Sequence, residues 1–366
     1  MLSALFIATL GALASATEVQ IVGRAQTSFP PGVIATGTMG PNNPPEPTLG
    51  TAINQTSMAR LLTANTVDDW CIFAPPTPEV IGNSETYEVA YCTKPRNNAR
   101  LIPDGTISGV SFLKTDFYVQ IIGFGDLTKI NIPYGDYGGE LDPHGAYGSG
   151  NPIGGNVTSN ITGSDQHFTE WMLYVSYQQF CFRICTNANS TYSAEYMCWH
   201  ELDEVGCQFV MPGNYNINGT FESCEADVAY PPGWYPTATV NGVPQFSTFA
   251  QRYTGTLSNG QVYTVGDTVT PPAPYFTPSS SNCVKASTIA NGVPYNQLGI
   301  SGSGPSVPAQ TGSGAGASGP SATGSSGASQ PTKSNNGAAA QGVKTEMVLV
   351  GFWAVIAALG GIVMFA

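Results

Sequence analysis

Between about residue 66 and residue 300 the apolar positions come in short runs separated by turn formers. The runs at 86–92, 107–112, 117–122 and 127–132 are rich in β-branched and aromatic residues and read as strands. They are bounded by Asp104-Gly105, Gly123, Gly125-Asp126, Pro133 and Gly135-Asp136, which are turn chemistry. A further aromatic run spans 171–182, and 180–185 alternates so that Cys181, Arg183 and Cys185 share one strand face. One stretch carries helical spacing. Over 191–205, Ala194, Cys198, Leu202 (or Glu201) and Val205 form one stripe, with Thr191 or Ser193 as N-cap and Gly206 as terminator. The pattern predicts a mainly β fold, sandwich or barrel-like, with one short disulfide-stapled helix. Helices do not alternate with strands, which argues against a parallel α/β domain.

Both ends depart from this texture. Residues 2–13 are apolar apart from Ser3, Thr9 and Gly11, and Ala14-Ser15-Ala16 follows. This reads as a signal peptide, 1–16, cut before Thr17, although no Lys or Arg precedes the apolar stretch. Residues 17–65, with Pro30-Pro31-Gly32 and several further prolines, read as an extended arm ahead of a globular domain at 66–300. The segment 301–336 is rich in Ser, Gly and Ala with one charge, Lys333, and reads as a disordered stalk open to O-glycosylation. Residues 347–366 are uncharged and apolar, behind a largely polar spacer at 339–346 and the small residues Asn336, Gly337 and Ala338. That order reads as a GPI-attachment signal at 337–366, in preference to a plain C-terminal membrane anchor, with Asn336 as the lipidated residue and Asn335, Gly337 or Ser334 as near alternatives. It predicts a protein on the outer leaflet of the plasma membrane through a lipid anchor, or passed on to the cell wall.

Composition narrows the function. Only 10% of residues are charged, and 24 acidic against 12 basic residues give a net charge of -12. That excludes nucleic acid as a partner, since phosphate binding needs clustered Lys and Arg. The eight cysteines, at 71, 92, 181, 185, 198, 207, 224 and 283, imply four disulfides in an oxidising compartment. Local structure suggests Cys71–Cys92 at a loop base, Cys185–Cys198 between strand and helix, Cys207–Cys224 around the following loop, and Cys181–Cys283 by elimination. Five Asn-x-Ser/Thr sequons, at Asn54, Asn156, Asn160, Asn189 and Asn218, are candidate glycan sites.

Several motifs are distinctive. DWCIFAPP (69–76), YCTKPR (91–96), GGELDPHG (138–145), FCFRIC (180–185) and CWHELDEVGC (198–207) together resemble a family of secreted basidiomycete proteins labelled macrophage-activating-glycoprotein-like. The resemblance covers roughly 66–285. It implies a secreted, glycosylated surface protein and supplies no catalytic residues.

Candidate chemistry centres on Asp136, Glu140, Asp142 and His144. In an extended chain Glu140, Asp142 and His144 point the same way, a set able to hold a divalent metal or to do acid–base work. The competing reading, favoured by the surrounding Gly and Pro, is a loop of Asx turns. No cofactor is implied. Aromatics in Pro-rich loops, at 230–235 and 274–276, can stack on sugar faces or pack beneath their own loops. The resulting expectation is a non-catalytic structural, adhesive or ligand-binding surface glycoprotein with cell-wall polysaccharide or surface glycans as partners. The alternative is a wall-modifying carbohydrate-active enzyme that uses the acidic loop at 136–144.

Overall fold

The computed structural model describes residues 43–298, apart from 146–149, 218 and 258. The signal segment, most of the expected arm, Asn218, the 301–336 segment, Asn336 and the apolar 347–366 segment lie outside the described residues.

The strands are, in chain order, β1 Leu61–Thr66, β2 Asp69–Ala74, β3 Val89–Cys92, β4 Arg100–Leu101, β5 Ile107–Lys114 and β6 Tyr118–Gly125. There follow β7 Gly139–Leu141, β8 Asn156–Ser159, β9 Gln166–Phe168, β10 Trp171–Val175, β11 Gln179–Cys185 and β12 Phe221–Ala226. The last five are β13 Trp234–Val240, β14 Val243–Thr248, β15 Tyr253–Thr256, β16 Val262–Val265 and β17 Ser280–Ala286. Three one-turn helices accompany them: α1 Ile81–Ser84, α2 Ala194–Met197 and α3 Cys207–Val210. A six-stranded sheet runs β4-β3-β2-β1-β8-β9 and a seven-stranded sheet β17-β12-β5-β6-β11-β10-β7, so the fold is mainly β, as the pattern predicts.

The two sheets share one core. Trp70 and Phe73 of β2 meet Phe180 of β11 and Trp171 of β10 at ring centroid distances of 4.9 and 5.6 Å. Strand alternation then gives the seven-stranded sheet two apolar faces. On β11, Phe180, Phe182 and Ile184 join the core between the sheets, while Cys181 and Cys185 join a second core under α2 and α3. Burial on both faces explains why 180–185 is so apolar. Truncating one of these aromatics to Ala costs about 3–5 kcal/mol.

Four sequence expectations are corrected. Residues 127–132 form no strand; Leu127–Ile130 is a 3-10 turn whose Leu127 and Ile130 are buried, closed by Asn131 in the left-handed region at φ 75°. The 191–205 helix shrinks to α2. Ser193 caps it, but Arg183 Nη1 donates to the Met197 carbonyl at 2.9 Å, and Cys198 leaves helical geometry where it joins Cys185. The arm does not reach residue 65, because β1 lies inside the six-stranded sheet between β2 and β8. Two disulfide partners also differ. Cys71–Cys92 and Cys185–Cys198 are present, but Cys207 joins Cys181 and Cys224 joins Cys283. Proximity in sequence suggested Cys207–Cys224. Strand pairing overrules it: β17 lies beside β12, and α3 lies over the β11 face that presents Cys181.

The ribbons β13–β14 and β15–β16 stand outside both sheets. Asn241 and Gly242 turn the first with φ 52° and 81°, the left-handed pair that an Asn-Gly hairpin supplies. These ribbons carry Trp234 and Tyr253 to the cleft described next.

Candidate functional site

Edge strand β7 sets the geometry. It pairs antiparallel with β10 and places Glu140 opposite Tyr174. Gly138 is needed just before it: with φ 93°, a Cβ there would collide with the Val175 carbonyl. Beyond Leu141 the strand survives only as a bridge between Asp142 and Asn151. The chain then turns, because Asp142 Oδ1 accepts from the amides of His144 and Gly145 at 2.6 and 2.8 Å. The extended i, i+2, i+4 geometry therefore ends before His144.

The four candidates separate accordingly. Asp136 accepts from the amides of Ile81 and Gly138 at 2.7 and 2.9 Å, tying α1 to the approach to β7. His144 turns aside, with Nε2 3.1 Å from Glu170 Oε2 and its ring 4.2 Å from that of His200. The Glu170 hydrogen bond holds its pKa above the usual imidazole value. Glu140 and Asp142 stay together and line a cleft of about 800 Å³.

Residues far apart in sequence complete that cleft. Glu85, Asn151, Glu201 and Asp203 add polar groups, and Tyr196, Trp199 and Trp234 add rings. The Tyr196 ring lies 6.0 Å from Trp199 and 5.2 Å from Trp234, a continuous aromatic rim. Among the described residues the lining contains five carboxyl side chains and His200, and neither Lys nor Arg. Electrostatics follow from that imbalance. Burial, then the charges of Asp203 and Asp142, push the Glu85 carboxyl up to about 7. Glu140 is only 5% exposed, and its pKa is raised well above the usual value by burial and then by Asp203 and Asp142. Glu140 Oε1 and Asn151 Oδ1 are buried there short of a hydrogen bond at bonding geometry, and the equally buried Tyr174 hydroxyl is the group set against the Glu140 carboxyl.

A metal fits this arrangement poorly. Among the described residues, the group whose three ligand atoms lie within 4.8 Å of one another is Glu222, Cys224 and Cys283, and both cysteines are in a disulfide.

The chain is 41% identical over 244 residues to the appressorium protein ROW1 of Mycosarcoma maydis, covering 66% of this chain and 51% of ROW1. It is also 41% identical over 221 residues to the appressorium protein ROW2 of the same fungus, covering 57% of this chain and 75% of ROW2. The chain belongs to the family of these fungal appressorium proteins. It spans about half the length of ROW1. No family model and no solved structure matches it. The macrophage-activating-glycoprotein label is carried by none of these matches.

For this family member, sequence reading found Glu140 and Asp142 but missed Glu85, Asn151, Glu201 and Asp203. Trp234 lies in the aromatic loop at 230–235, whose rings the sequence left either to stack on sugars or to pack beneath the loop. Of the described sequons, Asn160 and Asn189 are exposed and Asn54 is half-buried. Asn156 is a correction: it is buried in β8, with Nδ2 donating to the Gly154 carbonyl at 2.9 Å. The sequon spacing there coincides with a strand. Among the described residues no helix is long and apolar enough to cross a membrane.

Proposed function

We propose that this protein is a secreted glycoprotein held at the fungal cell surface by a GPI anchor, where it binds glycan in the Glu140 cleft without cleaving it. The observation that carries the reading is the cleft itself: an aromatic rim over a polar floor is how proteins hold sugars, with rings on the apolar faces and polar groups on the hydroxyls. The signal segment, the spacer and apolar tail, the exposed sequons and four disulfides support secretion and anchoring. Two relatives named for the appressorium support a surface role. The earlier resemblance to macrophage-activating glycoproteins adds only secretion and glycosylation. Binding and hydrolysis are measured together by incubating the mature secreted protein with insoluble and oligomeric wall polysaccharides. Retention without product formation is expected, and failure to bind any of them defeats the reading.

One observation favours a second reading, a carbohydrate-active enzyme. A carboxyl kept protonated by burial beside ionisable neighbours is the usual form of a general acid for glycoside cleavage, and Glu140 has that environment. Release of reducing ends that stops in Glu140→Gln would put this reading first.

A further inference from the structure

We propose that the glycan taken by this cleft is an amino-sugar chain, an oligosaccharide whose protonated free amines sit against Glu140, Asp142 and Asp203 while its flat faces lie on Trp199 and Trp234. The inference rests on the glycan-binding reading above and names the class of glycan.

Charge selects the class. With five carboxyls and no Lys or Arg around it, the cleft repels uronic and sulfated sugars. The orphaned atoms select further. Glu140 and Asn151 are 5% and 8% exposed, and the partnerless Glu140 Oε1 and Asn151 Oδ1 both accept hydrogen bonds. Both oxygens are short of a donor, and the Tyr174 hydroxyl opposite Glu140 does not supply one at bonding geometry. An ammonium brings three donors and no acceptor. A sugar hydroxyl brings one donor and no charge to set against Asp142, Glu201 and Asp203. A bound cation also relieves the repulsion that Asp142 and Asp203 exert on Glu85 and Glu140. A bare metal ion would need its ligand atoms gathered, and those of the cleft are not. The rim distinguishes a sugar from a cationic peptide. The Tyr196 ring is tilted by 49° to Trp199 and 50° to Trp234, so the three offer separate faces to successive pyranose rings, and each adds cation–π attraction for an amine.

The test is calorimetric titration of the intact mature protein with a fully deacetylated glucosamine hexamer, its N-acetylated counterpart, a neutral glucose hexamer and a lysine hexapeptide. The deacetylated hexamer should bind about tenfold more tightly than the acetylated one, equivalent to about 1.4 kcal/mol. That advantage should shrink as salt is raised. It should also fall in Asp203→Asn and in Glu140→Gln; thermal melting checks that each variant is folded, and Asp203, being exposed, carries the test if Glu140→Gln is not. Trp199→Ala should weaken all three sugars alike. Equal or tighter binding of the acetylated or neutral hexamer overturns the amine proposal and leaves glycan binding standing. Tighter binding of the lysine peptide overturns it in favour of a peptide ligand. If no oligosaccharide binds, both fail.

Discussion

Arg183→Ala should destabilise the fold as much as truncating a core aromatic, and the structure says why. Arg183 is fully buried, with its guanidinium 4.0 Å from the centroid of the Tyr118 ring. Nε and Nη2 donate to Gln120 Oε1 at 3.0 and 2.6 Å, and Nη1 donates to the Met197 carbonyl at 2.9 Å. Truncation strands two buried acceptors, at about 1–3 kcal/mol each, and removes a desolvated cation–π contact of about 2 kcal/mol. Against this stands the relief of burying a cation, which burial already disfavours by lowering its pKa. The stranded acceptors and the lost ring contact outweigh that relief and leave a net loss of about 3–5 kcal/mol. At about 2–4 °C per kcal/mol for a domain of this size, melting should fall by roughly 6–20 °C. Near-UV circular dichroism of the oxidised protein measures it. The double variant Arg183→Met, Gln120→Leu replaces both sides with apolar groups and should recover about 1–3 kcal/mol relative to the sum of its single variants. Melting of Arg183→Ala within about 2 °C of the parent would refute the reasoning, as would strict additivity in the double variant.

Four other outcomes are expected. Because the folded pKa of Glu85 lies above its unfolded value, the stability it contributes is full below about pH 4.5 and is lost as pH rises through about 7. Melting temperature should therefore decline from about pH 5 to pH 8, and Glu85→Gln should flatten the decline; a rise over that window contradicts the assignment. Asp136→Ala removes two backbone contacts and should cost about 1–2 kcal/mol in denaturant titration with glycan affinity unchanged. Glycopeptide mass spectrometry should find Asn156 unmodified, since a glycan there has no place in β8. Phosphatidylinositol-specific phospholipase, after deacylation where the anchor resists, should release the protein from membranes, and mass spectra of the native protein that retain residues 347–366 would end the GPI proposal.

The strands were legible because period-2 alternation and Gly/Asp turns are local signals. So were α2's cap at Ser193 and the inward face of Cys198. The helix length was not, because what ends it is a side chain from β11, and propensity sees only neighbours in sequence. Leu127–Ile130 misled for a similar reason: its apolar spacing fits a strand until Asn131 turns left-handed. The cysteine pairing of 207 and 224 failed because β12 finds β17 across a 59-residue separation between Cys224 and Cys283, where sequence holds no register. At the site, Glu140 and Asp142 were visible as an acidic pair two residues apart, but their partners come from four other segments. Only tertiary contact distinguishes Glu140, buried in the cleft, from Asp136, whose carboxylate accepts from the amides of Gly138 and of the distant Ile81.

The cleft and the outer layer of the fold are one mechanical object. Tyr196 sits on the one-turn α2, and Trp199, Glu201 and Asp203 on the stretch between α2 and α3, a segment too short in helix to hold its own shape. Its rigidity has to come from β11. Three successive same-face residues of that strand supply it: Cys185 bonds Cys198, Arg183 holds the Met197 carbonyl, and Cys181 bonds Cys207. The rim is thus anchored at both ends and in the middle of its approach, while the floor residues Glu140 and Asp142 hang from the neighbouring edge strand. A loop pinned in this way loses little further conformational freedom when a ligand arrives, which favours binding. The alternation in FCFRIC, which is also the alternation between two cores, is therefore what allows a loop-built cleft to stay open in a chain with few helices.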